Sequence, residues 1–412
     1  MDLRFIRENL RLCFLPSWFN LKFSTAQFKL HKWQKKKRTM TERVILESYN
    51  PDWPRRFEAE RGVLAAVFAG TEAVIEHVGS TAVPGLSAKP VIDVMVGVRA
   101  LAEVELRTPA LEAAGYEYVQ KHEQQLPNRR YFHRPRQKPR TVHLHCVVKG
   151  SDFWIQHLAF RDYLRAHPDT AAAYYNLKRD LAARLPRPEY TEAKSSFIQT
   201  VVASALQEKL QHVYWIGGAS AAGKSTIARR IADQHGLSIY ATDEKMADHA
   251  RRSSPDDCPA LHLFMAMEMD DRWLNRSPKE MLETFHWFRG EGFNFIIEDL
   301  LTHEKGVVVE GFRLLPHLLK PLLPVHSRAI WLLPADDFRP SVVESRGGSA
   351  WAFLANTSDP ERALRNLLER DRMFTDVLRE ETARLGLAAI EVDSTMSEDD
   401  LYQRVTDLFG RE

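Results

Sequence analysis

The chain has 412 residues, of which 44% are hydrophobic and 27% are charged, and its formal net charge is +2. This length predicts two or three domains, and the composition is ordinary for a globular protein. The three cysteines lie far apart at positions 13, 146 and 258, which argues against a disulfide framework or a zinc site and favours a reducing cytoplasm. The pattern predicts no membrane span, because no apolar run is long enough.

Residues 1–39 form a basic segment with interleaved aromatic residues, in front of a second methionine, Met40. They carry ten Lys and Arg residues against two acids, whereas residues 40–412 carry 47 basic and 53 acidic residues. A targeting peptide, a membrane-surface anchor and a nucleic-acid-binding arm are open interpretations. We favour a disordered extension, or translation that starts at Met40. The negative balance of residues 40–412 argues against a general nucleic-acid surface there.

Residues 40–208 predict a first α/β domain. The predicted strands are 44–49, 73–78 and 89–98, with helices at 57–68, 151–165, 170–185 and 192–211, the last three covering the sheet. A turn, Gly79-Ser80, precedes a strand that carries Asp93. A carboxylate in an apolar strand needs a partner or a metal, and nucleotidyltransferase folds present a triphosphate and a metal in this way.

The second acid usual in such enzymes, two residues further on, is Met95 here, which argues against two-metal catalysis. The open alternative is an ion pair from Asp93 to Lys89 or Arg130 in a fold without catalysis. His143 and His145 alternate on a strand and face the same side. They are expected either to bind a metal or phosphate beside Asp93, or to be half-buried histidines with satisfied hydrogen bonds.

Several motifs within residues 42–205 resemble, in order, the GrpB family. They are residues 77–93, His143-Leu-His145, residues 160–168, Tyr174-Tyr-Asn-Leu-Lys178 and Tyr190-Thr-Glu-Ala-Lys194. The resemblance implies a nucleotidyltransferase-like α/β fold with a mixed sheet, and GrpB-type domains are also found fused to dephospho-CoA kinase. It does not define an activity. The ligand site predicted for this domain comprises Gly79, Ser80, Lys89, Asp93, Arg130, His143 and His145.

Residues 209–412 begin with an apolar strand that enters a G-x-x-x-x-G-K-[ST] phosphate loop and then a helix. The predicted nucleotide-binding residues are Gly218, Ala219, Ser220, Ala221, Ala222, Gly223, Lys224, Ser225 and Thr226. Loop amides and the helix N-terminus suit phosphate oxygens, Lys224 reaches the β- and γ-phosphates, and the Ser225 hydroxyl suits Mg²⁺. The sequence therefore predicts a nucleoside triphosphate site.

Strands predicted at 237–240, 305–310, 327–334 and 387–393 complete a five-stranded parallel sheet with the site at its carboxyl edge. Asp243, after the second of these five strands, is expected to orient or deprotonate an acceptor hydroxyl. Glu310 closes an apolar strand at the position of a Walker B carboxylate and is expected to position Mg²⁺. Residues 254–303 are rich in Met, His, Trp and Phe, and we expect core packing there rather than an acceptor pocket.

An arginine-rich helical stretch between the last two strands is interpreted as a lid that stabilises the transition state. Its candidate residues are Arg346, Arg362, Arg365 and Arg372. The alternative is a solvated helix in which Glu361, Glu369 and Asp371 pair with the arginines. This half resembles a group of adenylate-kinase-like small-molecule kinases through residues 215–218, 235–237, 242–244, 310–312 and 366–371.

The leading hypothesis is a cytoplasmic fusion protein whose C-terminal half transfers a phosphoryl group from ATP, with Mg²⁺, to a small metabolite. One alternative is a regulatory module that binds a nucleotide with little catalysis. Another is nucleotidyl transfer by the N-terminal half.

Overall fold

The structure is a computed structural model that describes residues 44–410 apart from 124–125, 138, 325–327, 337 and 346. The predicted extension 1–39, Met40 and the lid candidate Arg346 therefore lie outside the described residues.

The N-terminal half contains a mixed five-stranded sheet with the strand order β1-β2-β5-β4-β3. The strands are Val74–Val78 (β1), Ile92–Val98 (β2), Glu117–Tyr118 (β3), Arg129–Arg134 (β4) and Val142–Val148 (β5). Only the β2–β5 pair is parallel among these strands. The helices of this half are Trp53–Val67 (α1), Ala102–Ala113 (α2), Asp152–Ala166 (α3), Pro168–Arg184 (α4), Arg187–Glu192 (α5) and Ser195–Lys209 (α6).

The C-terminal half contains a fully parallel five-stranded sheet with the order β10-β9-β6-β8-β7. Its strands are Val213–Gly218 (β6), Ser238–Ala241 (β7), Val307–Glu310 (β8), Ala329–Pro334 (β9) and Ala389–Val392 (β10). The central strands β6, β8 and β9 are buried along their whole length, as is typical of parallel strands covered on both faces.

Eleven helices are described in this half. They are Lys224–His235 (α7), Met246–Arg252 (α8), Pro259–Met265 (α9), Met269–Trp273 (α10), Pro278–Thr284 (α11), Phe293–Leu300 (α12), Pro316–Leu319 (α13), Phe338–Ser345 (α14), Ala352–Ala355 (α15), Pro360–Leu385 (α16) and Glu398–Leu408 (α17). Among the described helices, none is long and apolar enough to cross a membrane.

The two halves share one apolar cluster, which contains Met95 and Trp154 from the first half and Phe293 and Ile296 from the second. Gln207 on α6 also donates hydrogen bonds to the carbonyl oxygens of Pro321 and Leu323, at 2.9 and 3.3 Å. Helix α6 ends at Lys209 and β6 begins at Val213, so the predicted boundary near residue 208 falls between two elements. The boundary itself remains a prediction, because a shared core leaves open how the halves divide.

The predicted strand at 44–49 is wrong. Only one bridge forms there, between Glu47 and Ala88, because the residues that follow turn directly into α1. The other predicted strands of both sheets are found within a few residues of their expected ends.

Candidate functional sites

The first candidate site lies in the C-terminal half, where β6 passes through residues 218–225, here called the glycine loop, into α7. Gly218 has φ +123°, and an added Cβ would overlap the backbone of Leu332 on the neighbouring strand β9. Gly223 has φ +76° and is the residue from which α7 begins. Ala221 also has a positive φ, of 68°. These backbone angles turn the loop tightly at the carboxyl end of the sheet, where α7 presents its N-terminus.

Three functional candidates meet at this loop. Ser225 donates a hydrogen bond to Oε1 of Glu310 at 2.9 Å, which joins the start of α7 to the end of β8. The Lys224 ammonium is buried and donates to the carbonyl oxygen of Ala219 at 2.6 Å. Both carboxylates of the site, Glu310 and Asp243, interact electrostatically with Lys224, whose charge favours their ionised forms. The predicted residues Lys224, Ser225, Glu310 and Asp243 therefore lie together.

Asp243 follows β7 and stands beside Glu310 because β7 and β8 pair in parallel, with Ala241 opposite Glu310. Thr242 is fully buried, its amide donates to the Glu310 carbonyl at 2.9 Å, and its hydroxyl donates to Asp243. Gly311 has φ +145°, and a Cβ there would overlap the Thr242 hydroxyl. The two strand ends therefore hold the two carboxylates close together.

The two carboxyl groups of this site differ in their exposure to solvent. Glu310 is 4% exposed, and burial raises its pKa above the usual value, against the effect of Lys224 and the Ser225 hydrogen bond. Asp243 keeps its solvent access, yet partial desolvation by the surrounding loop also raises its pKa. Glu310 is therefore an internal carboxyl group, whereas Asp243 is open to solvent.

Sequence reasoning missed Arg313, which lies three residues after Glu310 and is 2% exposed. Its guanidinium donates to the carbonyl oxygens of Thr242 and Gly292, at 3.3 and 3.0 Å, and stacks 4.0 Å from the Trp287 ring. Burial lowers its pKa to about 10, which leaves it charged. The signal available in the sequence was an arginine in the apolar stretch 307–315.

Three of the four predicted lid arginines, Arg362, Arg365 and Arg372, lie on α16, and no described contact brings them to the glycine loop. Arg362 and Arg365 are exposed, and Arg372 pairs with Glu369 and Asp376 at 2.8 and 2.9 Å. The pairing of Glu369 with one of these arginines, expected for a solvated helix, is therefore confirmed. Asp371 pairs instead with the buried Arg370. The lid role of these arginines stays a prediction.

The aromatic stretch 254–303 forms core, as expected. Cys258, Leu261, Phe285, Trp287 and Phe295 are buried in one cluster with further aromatic side chains around them.

The second candidate site is a cavity of about 190 Å³ in the N-terminal half, here called the lysine cavity. It is lined by Val44, Leu46, Ser80, Thr81, Ala88, Lys89, Val91, Asp93, His143, Lys178, Tyr190, Thr191 and Lys194. Four of the predicted site residues, Ser80, Lys89, Asp93 and His143, are among them. Gly79 lies directly behind, with φ +73°, and an added Cβ there would overlap Oδ2 of Asp93.

Of the two predicted ion-pair partners of Asp93, Lys89 lines the same cavity, and the ion pair with it stays a prediction. Asp93 accepts a hydrogen bond from Nδ1 of His143 at 3.0 Å, because β2 and β5 place these residues side by side. Arg130 was wrongly predicted at this site: it pairs with Glu105 at 2.7 Å. Register explains the error, because Arg130 lies opposite Cys146 and so faces the other side of the sheet.

His145 shares the face of His143, as predicted, but does not line the lysine cavity. Its ring lies 5.6 Å from the Phe153 ring on α3, and its Nδ1 accepts from Arg129 at 3.1 Å. Burial, followed by the charge of Arg129, holds the pKa of His145 well below its usual range. The prediction that it binds a ligand beside Asp93 is therefore corrected: it is a neutral histidine between sheet and helix.

Lys178 and Lys194 were also missed, although both stood in motifs quoted for the family resemblance. Lys178 on α4 is 2% exposed and donates to the Ser87 carbonyl at 2.6 Å and to the Ser80 hydroxyl at 3.2 Å. Lys194, at the start of α6, lies 4.4 Å from the Tyr190 ring and interacts electrostatically with Asp93. Their sequence distance from the Gly79-Ser80 turn hid them.

The two sites differ in how well they suit Mg²⁺. The Ser225 hydroxyl and the Glu310 carboxylate are hard oxygen donors of the kind Mg²⁺ uses together with substrate phosphates, so the first site fits this ion. In the second, one carboxylate is surrounded by lysines, and Met95 is fully buried in the shared apolar cluster. Within the described ranges, no group of three His, Cys, Asp or Glu side chains forms a metal cluster.

Comparison with known proteins identifies the N-terminal half. Residues 43–204 match the GrpB protein family. UPF0157 protein YqkA of Bacillus subtilis is 38% identical over 169 residues, which cover 40% of this chain and 48% of that protein, so the chain spans about half of that relative. Glutamate-rich protein GrpB of Alkalihalophilus pseudofirmus is 34% identical over 165 residues, covering 39% of this chain and 94% of that protein.

A more distant match is a dephospho-CoA kinase of Mycolicibacterium paratuberculosis, 29% identical over 163 residues, covering 34% of this chain and 40% of that protein.

The family match contains the Gly79-Ser80 turn, Asp93 and His143, and it ends before the glycine loop. Because the Alkalihalophilus protein is covered almost from end to end, the likeness extends over a whole protein rather than a fragment. Through residues 43–204, the chain belongs to the GrpB family.

Proposed function

We propose that the C-terminal half, residues 209–412, transfers the γ-phosphoryl group of ATP to a small metabolite. One observation carries this proposal: Lys224, Ser225 and Glu310 meet at the carboxyl ends of parallel strands, beside Asp243. Ligands bind at this edge in open parallel sheets. One distant relative is itself named a dephospho-CoA kinase, and phosphoryl transfer is the reaction that this name states.

The glycine loop would hold the phosphates through its amides and the N-terminus of α7, with the Lys224 ammonium as their cationic partner. Ser225 and Glu310, already hydrogen-bonded to each other, would hold Mg²⁺. When bound, Mg²⁺ neutralises charge on the phosphate oxygens. Glu310 is buried and Ser225 is exposed, so the ion site would lie between the protein interior and the bound phosphates.

Asp243 would act on the acceptor. Its carboxylate would take the proton of the acceptor hydroxyl as the acceptor oxygen bonds to the γ-phosphorus and the bond to the ADP oxygen breaks. A raised pKa brings a carboxylate closer to the pKa that suits a general base near neutral pH. Arg313, buried behind Thr242, would hold the strand end that carries Asp243 and is a positioning residue. Arg362, Arg365 and Arg372 remain candidates for a lid that closes over the phosphates.

The first experiment measures ADP release from ATP and Mg²⁺ by the full chain and by Lys224→Ala, with and without a small-metabolite extract. We expect extract-stimulated release that falls at least about 100-fold in Lys224→Ala, because the loop loses its cationic partner for phosphate. Lys279→Ala is the matched control, since that side chain is 74% exposed and pairs only with Glu283 in the contacts described. Full turnover in Lys224→Ala would refute the proposal.

Release that the extract does not stimulate would instead favour the regulatory hypothesis. In that case the C-terminal half binds a nucleotide as a switch, and hydrolysis is slow and independent of an acceptor. Fractionation of a stimulating extract would identify the acceptor.

A further inference from the structure

The lysine cavity carries an excess of positive charge. Lys89, Lys178 and Lys194 line it with a single carboxylate, Asp93. Its other polar side chains are neutral hydroxyls and an imidazole, from Ser80, Thr81, Tyr190, Thr191 and His143. Charges removed from water normally have partners of opposite sign, because an uncompensated buried charge is expensive. With three lysines and one carboxylate in its lining, the cavity suits an anion.

Lys178 shows that this excess is built into the fold. It is 2% exposed, and its two hydrogen bonds, to the Ser80 hydroxyl and the Ser87 carbonyl, go to neutral oxygens. Burial lowers its pKa to about 7, and the nearby charge that acts on it is a second cation, Lys194. An anion placed between these two lysines would relieve both the desolvation and the repulsion.

We propose that the lysine cavity binds the phosphate group of a small phosphorylated ligand without a divalent metal ion. The lysines supply the charge, and the Ser80 hydroxyl, which lines the cavity, supplies a neutral donor to the phosphate oxygens. At about 190 Å³ the cavity is smaller than the usual sites for whole drug-sized molecules, so it suits a phosphate head rather than a complete nucleotide.

The same geometry argues against nucleotidyl transfer. The position of a second metal-binding acid is Met95, which is fully buried in the core shared by the two halves. Asp93 is hydrogen-bonded to His143 and packed against Gly79, so it is an element of the cavity wall. The site therefore provides binding, and this inference does not depend on phosphoryl transfer at the glycine loop.

The test uses the full chain carrying Lys224→Ala, which weakens the competing site, with EDTA present. Isothermal titration with pyrophosphate and with sodium sulfate is compared between this protein and the same protein carrying Lys194→Gln. We expect binding without metal, and an affinity at least about tenfold weaker in Lys194→Gln, because one charge-assisted contact is lost. Lys279→Gln is the matched control and should leave the affinity unchanged. An affinity that Lys194→Gln does not alter would overturn the proposal.

Asp93→Asn gives a second test of opposite sign. Asparagine keeps the size of the side chain and removes the one negative charge of the cavity, so anion affinity should rise by about threefold or more. If Asp93 instead serves to bind a metal, the variant would bind pyrophosphate more weakly and the parent would need Mg²⁺. Either result would refute the metal-free site. Circular dichroism of each variant separates a lost ligand site from a lost fold.

Discussion

The two candidate sites begin alike, since in each a strand runs into a glycine-containing turn with a serine, but they differ in their charge balance. Around the glycine loop, Asp243 and Glu310 interact electrostatically with three cations, Lys224, Arg229 and Arg313. Asp243 also interacts with a third carboxylate, Glu244, so positive and negative groups are equal in number there. In the lysine cavity, three lysines stand against Asp93. A balanced site needs an added cation before it can hold a polyphosphate, whereas a cationic cavity can hold phosphate unaided. The numbers of cations and carboxylates around each turn, more than the turn itself, decide whether the site needs a metal ion to hold phosphate.

Metal removal should separate the two sites completely. With EDTA, ADP release should fall to background, because the carboxylates at the glycine loop would then face the phosphates without Mg²⁺. Sulfate binding by the lysine cavity in the same protein should be unchanged, as measured by titration calorimetry. ADP release that survives chelation would contradict the assignment of Ser225 and Glu310 as metal ligands.

Asp243→Asn should sharpen the distinction between holding phosphate and transferring it. We expect turnover to fall by about 100-fold while ATP affinity changes little, because the amide cannot take the acceptor proton. Stopped-time ADP assays and equilibrium binding of ATP measure the two quantities separately. Glu244→Gln, the exposed neighbour, is the control. Equal losses from both variants would mean that Asp243 has no special role.

Local sequence patterns predicted the glycine loop and its acids well, because a strand, its turn and the next helix are contiguous in the chain. The lysine cavity was harder. Lys178 reaches Ser80 across 98 positions, and such a contact depends on how α4 packs. Arg130 failed by one residue, since Arg129 and not Arg130 shares the face of His145. In a strand, a shift of one residue moves the side chain to the opposite face of the sheet.

Two glycines test whether the turn beside Asp93 has a geometric requirement that other turns lack. Gly79 and Gly85 have nearly equal φ values, +73° and +76°, but only Gly79 has Asp93 against its α-carbon. Gly85→Ala should lower the free energy of unfolding by about 1 kcal/mol from backbone strain alone. Gly79→Ala should lower it by about 2–4 kcal/mol, because Asp93 must also move. Urea unfolding measures both, and equal losses would remove the argument for a close approach.

The smallest expected effect is a pH dependence confined to the lysine cavity. The other titratable groups that line the cavity with Lys178 are Lys89, Lys194, Asp93, His143 and Tyr190, and the Lys178 ammonium also lies 4.9 Å from the Tyr174 ring. Because burial sets the pKa of Lys178 at about 7, its charge is present below that pH and is lost above it. Sulfate remains a dianion throughout this range, so only the charge of the protein changes. The affinity for sulfate should therefore fall about threefold between about pH 6 and 8, a loss of roughly 0.7 kcal/mol.

The variant Lys178→Gln tests whether Lys178 is the group that titrates. Its sulfate affinity should be lower at every pH and should no longer fall across neutrality, because the group that titrates is gone. Ser196→Ala, in the adjacent helix α6 and outside the cavity lining, serves as a control that should keep the parent's slope. A slope that persists in Lys178→Gln would mean that a different group titrates, and it would leave Lys178 as a packing group. The lysine cavity would then carry less positive charge than its residues indicate, and the two sites would differ less in net charge.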